Sequence, residues 1–129
     1  MKRLAISTVA LVVLAGGLLT ACGDPFSPEG VSGVYNLETI NGNSLPALSV
    51  YGHLFIAESI TLNADGTMST SLTVQLQSGI VTETGSGIFT LVEPSTVRMT
   101  VDGNVFSGTL DGDRLTIVGE DGYTLVFRK

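Results

Sequence analysis

From Ser32 to the C-terminus, apolar and polar residues alternate in short runs separated by turn formers. The clearest run covers residues 67–77. Met68, Leu72, Val74 and Leu76 fall on one face, while Ser69, Ser71, Thr73, Gln75 and Gln77 fall on the other. A period of two marks a strand with one buried face, and no run here carries the 3.6-residue period of a helix. Seven more strands follow from the same reading: 33–40 with Tyr35 and Leu37 in phase; 53–63 with Leu54, Ile56, Ile60 and Leu62 sharing a face; 80–91; 96–101 with Val97, Met99 and Val101 in phase; 105–110; 114–119; and 123–128 with Tyr123, Leu125 and Phe127 together.

The separators fix the topology. Asp65-Gly66 predicts a type I′ hairpin turn, and Gly85-Ser86-Gly87 predicts a bulge or bend inside the fourth strand. The last three turns (Asp102-Gly103-Asn104, Asp111-Gly112-Asp113 and Glu120-Asp121-Gly122) recur every nine or ten residues. Such spacing joins sequential neighbours into an antiparallel up-and-down meander. Eight meandering strands leave two exposed edges unless the first pairs with the last, so the expected fold is all-β, a small closed barrel. Its interior is just wide enough to be filled by side chains or to hold one small ligand. A two-sheet sandwich is the competing architecture. The later strands, at six or seven residues, are shorter than the roughly 9–11 that a membrane-spanning barrel requires.

The N-terminal segment follows a different pattern. Met1-Lys2-Arg3 is positive, residues 4–19 are almost wholly apolar, and small residues lead to Cys22. This is the layout of a secretory signal. The apolar run is also just long enough to span a bilayer as a helix, but the cysteine stands where the run stops. Leu19-Thr20-Ala21-Cys22 resembles the lipobox of bacterial lipoproteins. The resemblance implies removal of a signal peptide, residues 1–21, and lipid attachment at Cys22. Two or more acyl chains, such as palmitate, hold firmly where one does not, at about 0.8 kcal/mol per buried CH₂. Gly23, rather than an aspartate, follows the cysteine, which by the same resemblance favours the outer membrane, facing either the periplasm or the cell surface. Residues 22–31 read as the lipidated cysteine and a proline-containing tether, and residues 32–129 as the barrel domain.

Composition narrows the function classes. Lys2 and Arg3 leave with the leader, so Arg98, Arg114, Arg128 and Lys129 face all twelve acidic residues. An acidic surface disfavours nucleic acid and anionic headgroups as partners, so the covalent lipid must hold the protein at its membrane. Cys22 is the only cysteine and His53 the only histidine. A disulfide within the chain is thereby excluded, and so is a cysteine or histidine-pair metal site. No triad can be assembled around His53 from sequence; it reads as a strand-start residue. Asp111-Gly112-Asp113 and Glu120-Asp121 lack the twelve-residue calcium loop and read as turn chemistry. The expectation is a protein that is not an enzyme and has no cofactor.

Three stretches resemble the small lipocalin-like lipoproteins of bacterial envelopes: Gly33-Val34-Tyr35-Asn36-Leu37 with Ile40-Asn41-Gly42 and Leu45-Pro46; residues 59–67 around Asp65-Gly66; and the final residues 123–129. Lipocalins open with Gly-x-Trp and pack a late arginine over the tryptophan. Tyr35 stands in the tryptophan's place, and the resemblance makes Arg128 its partner. Two functions follow. A binding barrel predicts unfilled space among Leu54, Ile60, Leu72, Val74, Phe89, Met99, Phe106 and Leu125 for a small hydrophobic ligand. An interaction module with a solidly packed barrel predicts instead an apolar patch near residues 45–51, or an open strand edge, for a protein partner.

Overall fold

In a computed structural model, which describes residues 25–49, 52–119 and 122–129, one antiparallel sheet closes on itself. Its strands are β1 (Gly33–Ile40), β2 (Asn43–Ser44), β3 (Ala47–Leu48), β4 (Leu54–Leu62), β5 (Thr67–Leu76), β6 (Gly79–Val92), β7 (Thr96–Val101), β8 (Asn104–Asp111), β9 (Arg114–Val118) and β10 (Thr124–Arg128). The two-residue strands β2 and β3 lie in the long loop after β1. The other eight are the strands expected from the alternation, and they pair in sequence order from β4 to β10. β1 closes the ring by pairing with β10 on one side (Leu37 opposite Phe127) and with β4 on the other (Tyr35 opposite Ile60). The fold is therefore all-β, an eight-stranded closed meander rather than a sandwich.

Turn chemistry sets the hairpins. Asn41-Gly42 and Asp102-Gly103 both take positive φ at both residues, as two-residue type I′ turns require. Asp65-Gly66 departs from that expectation. Only Gly66 has positive φ, and the loop closes through Gly66 N–H donating to the Asn63 carbonyl at 3.0 Å. Asp65 instead accepts from the Thr67 amide (3.0 Å) and hydroxyl (2.6 Å), and these bonds hold its carboxyl below the usual range. A short acidic side chain can cap a turn in this way without itself entering the left-handed region.

Gly85-Ser86-Gly87 makes no bulge. β5 and β6 stay in register from Thr67 opposite Ile88 to Leu76 opposite Gly79. The glycines serve close approach, because a Cβ on Gly87 would collide with the Thr100 carbonyl. The register shifts fall elsewhere, between Leu37 and Thr39 in β1 and between Phe55 and Ala57 in β4. The second shift breaks the expected face of β4. Ile60 and Leu62 are buried, but Phe55, not Leu54, packs against the core. One extra residue reverses which side each later side chain faces.

The meander gives the barrel two unlike ends. At one, residues 25–31 fold back onto the core. Ser27 caps a single helical turn, Pro28–Val31, its Oγ accepting from the Gly30 amide at 3.0 Å. Val31 is 1% exposed, Phe26 packs beside it, and the Tyr35 hydroxyl donates to the Val31 carbonyl at 2.6 Å. What reads as tether in the sequence is thus, from Pro25 on, a plug. Beneath it Tyr35, Leu62, Met68, Val97, Met99, Leu115 and Phe127 are at most 2% exposed. Each such large side chain contributes about 1.5–3 kcal/mol of burial.

Candidate functional site: the open mouth of the barrel

The opposite end is formed by the C-terminal ends of β5, β7 and β9 and the N-terminal ends of β4, β6, β8 and β10. Here the inner residues become small or polar and the packing opens into a cavity of about 730 Å³. That lies within the roughly 300–1,000 Å³ typical of small-molecule sites. Its apolar wall includes Ile60, Leu72, Phe106, Ile117 and Leu125. Gly85 lets neighbouring side chains close on this wall: a Cβ there would lie 2.9 Å from Val101 Cγ1 and 3.0 Å from Thr70 Oγ1.

Glu58 is the distinctive group of this mouth. It lies two residues before Ile60 on the inward face of β4 and stands directly opposite Leu72 of β5, which in turn stands opposite Glu83 of β6. Directly opposed residues share a face of the sheet. Glu58 Oε2 is fully buried with no hydrogen-bond partner among the described residues, and burial pushes the carboxyl up to about 7. An apolar surrounding disfavours the charged form, and no donor compensates. Sequence inspection passed over Glu58 although the signal was present, since it continues the phase of Ile60 and Leu62.

The interior residues singled out in the sequence divide into two groups. Ile60, Leu72, Phe106 and Leu125 line the cavity. Val74, Phe89 and Met99 are buried instead, Phe89 and Met99 within the main core cluster, and Leu54 lines a shallow recess with His53 and residues 75–78. His53 is exposed at the edge of β4, its carbonyl accepting from the Ser49 amide at 2.8 Å. In the loop after β1, Leu48 is 66% exposed while Ala47 is buried.

The expected Arg128–Tyr35 contact is not formed. Arg128 lies outside the barrel, bonded to Glu38 (3.0 Å) and Asp113 (3.2 Å). Alternation explains the swap: Phe127 points inward, so Arg128 must point out. The cation over Tyr35 is Lys129, whose Nζ lies 5.6 Å from the ring centroid. Asp113 is thereby engaged in an ion pair, and among the described residues no group of three His, Cys, Asp or Glu side chains is arranged to hold a metal. Cys22, Glu120 and Asp121, like residues 1–21, lie outside the described residues.

No protein-family model matches the chain, and neither a curated protein nor a solved structure matches it. The functional reading therefore rests on the barrel, its plugged end and its open mouth.

Proposed function

We propose that this protein is a lipid-anchored envelope barrel of the lipocalin-like kind, which carries a small hydrophobic ligand in its mouth and is not an enzyme. The observation that supports this most is the asymmetry of the interior. One half is packed solid beneath a plug, while the other opens as a cavity of about 730 Å³ with an apolar wall. Apolar surface held open to water lowers its free energy by covering itself with an apolar ligand.

Anchoring at Cys22 fits this arrangement. The chain enters the barrel through the plugged end, so a short tether from a lipidated Cys22 turns the mouth away from the membrane that holds the anchor. By the lipobox resemblance that membrane is the outer one. Cys22→Ala should leave an unprocessed precursor, visible as a larger band after fractionation; normal maturation of that variant would remove the anchor from the account.

The barrel and its plug lie wholly within residues 25–129, which suits a test free of membrane. N-phenyl-1-naphthylamine, a neutral apolar dye, should bind this domain at one-to-one stoichiometry with a rise in fluorescence. Leu72→Trp, which enlarges a half-buried side chain of the mouth's own wall, should abolish the rise. Absence of dye binding would favour the second reading, a protein-interaction module, for which exposed Leu48 beside Ala47 is the natural contact.

A further inference from the structure

Resting on the ligand-binding reading above, we propose that the mouth selects cationic amphiphiles, seating an ammonium group on Glu58 and an alkyl or aromatic body against Leu72, Phe106, Ile117 and Leu125. The argument begins with the unpartnered oxygen. Glu58 Oε2 is buried in the wall of the cavity and has no donor among the described residues. A buried polar atom without a partner is costly. A ligand that brings a donor removes it. An ammonium group brings three donors together with a compensating charge, where an alcohol brings one donor and a carboxylate none.

The rest of the mouth has the same sign. Among its described lining residues the carboxylic side chains are Glu58, Glu83 and Asp102, and there is no lysine, arginine or histidine. These carboxyl groups come from β4, β6 and the β7–β8 turn, three separate elements. The chain's basic residues outside the leader are placed elsewhere. Arg114, Arg128 and Lys129 belong to the plugged end, and Arg98 is exposed, opposite Thr90 and Ser107 on the outer face of β7. No internal cation is therefore positioned to neutralise Glu58.

A fatty acid is the hydrophobic ligand this mouth fits least, because its head would meet the buried Glu58 carboxyl, with Glu83 and Asp102 exposed at the rim. A long-chain amine meets the opposite situation. The apolar wall covers its tail, Glu58 takes its head, and Glu83 and Asp102 at the rim attract it from solution.

The test uses the full chain held in phosphatidylcholine nanodiscs, titrated separately with octylamine, octanol and octanoate. Carbon-13 methyl NMR shifts of Leu72, Ile117 and Leu125 report occupancy of the mouth itself, apart from partitioning into lipid. Octylamine should bind at least tenfold more tightly than the other two. In Glu58→Gln that advantage should fall below threefold, with the Leu62 and Leu115 methyl signals confirming that the packed half is folded. Equal binding of all three probes, or preference for octanoate, would overturn the cation selectivity while leaving the ligand-binding reading intact. An advantage undiminished in Glu58→Gln would overturn the role of Glu58. No methyl shift with any probe would overturn both.

Discussion

Lys129 Nζ lies 5.6 Å from the centroid of the Tyr35 ring and donates to the Ser32 carbonyl at 3.2 Å. The last residue of the chain thus holds down the beginning of the barrel. Tyr35 completes the link by donating to the Val31 carbonyl of the plug. Burial, with Asp113 nearby, raises the tyrosine's pKa, so the hydroxyl stays protonated as a donor. Gly33 makes the approach feasible: its φ is +144°, and a Cβ there would stand 2.5 Å from Lys129 Cδ. Lys129→Ala should cost about 0.5–2 kcal/mol through loss of the cation–ring contact. Tyr35→Phe should cost about 1–3 kcal/mol, because the Val31 carbonyl loses a buried donor. For a domain of this size each kcal/mol lowers Tm by roughly 4–8 °C, so thermal unfolding monitored by circular dichroism resolves both.

Glu58 predicts an unusual dependence of stability on pH. Its folded-state pKa is raised from 4.5 to about 7, so the folded protein binds this proton more tightly than the unfolded chain. Stability from this group is therefore greatest below about pH 4.5, declines as pH rises toward 7, and stays low above it. The shift corresponds to roughly 3 kcal/mol between the two limits. Glu58→Gln should be more stable than the parent at pH 8 and lose most of this slope, as urea titrations at pH 5 and pH 8 would record. A parent protein whose stability rises across that interval, with the same slope in Glu58→Gln, would contradict the placement of Glu58.

The two halves of the barrel should respond differently to truncation. Met99 is fully buried beneath the plug, and Met99→Ala should cost about 2–5 kcal/mol. Leu72 is half-buried at the cavity, where less packing is lost, and Leu72→Ala should cost less than half as much while weakening ligand binding. Urea unfolding midpoints with dye titrations separate the two effects.

The barrel was legible in the sequence because the strands carried a period of two and most turns a glycine, as at Val97-Arg98-Met99 and Asp102-Gly103. Closure followed from edge strands needing partners. Features that depend on two distant segments were not legible. The register shift after Phe55 is invisible in the alternation, and it moved Leu54 off the inner face. The plug read as tether: Ser27-Pro28-Glu29 is a helix-start signature, but a single turn is too short to show a period, and its docking on Tyr35 is a tertiary contact. Arg128 and Lys129 are neighbours, and only the strand's phase tells which one turns outward. Glu58 was readable by phase, yet its carboxyl gains meaning only once the barrel shows Oε2 buried with no donor among the described residues.

The central claim is that the open mouth holds a small molecule. The most direct measurement is native mass spectrometry of residues 25–129 after exposure to a lipid extract of the host envelope, without detergent. The account predicts one discrete added mass at one-to-one stoichiometry, lost in Leu72→Trp. Bare protein alone, in an experiment where a control lipocalin becomes loaded, would contradict it.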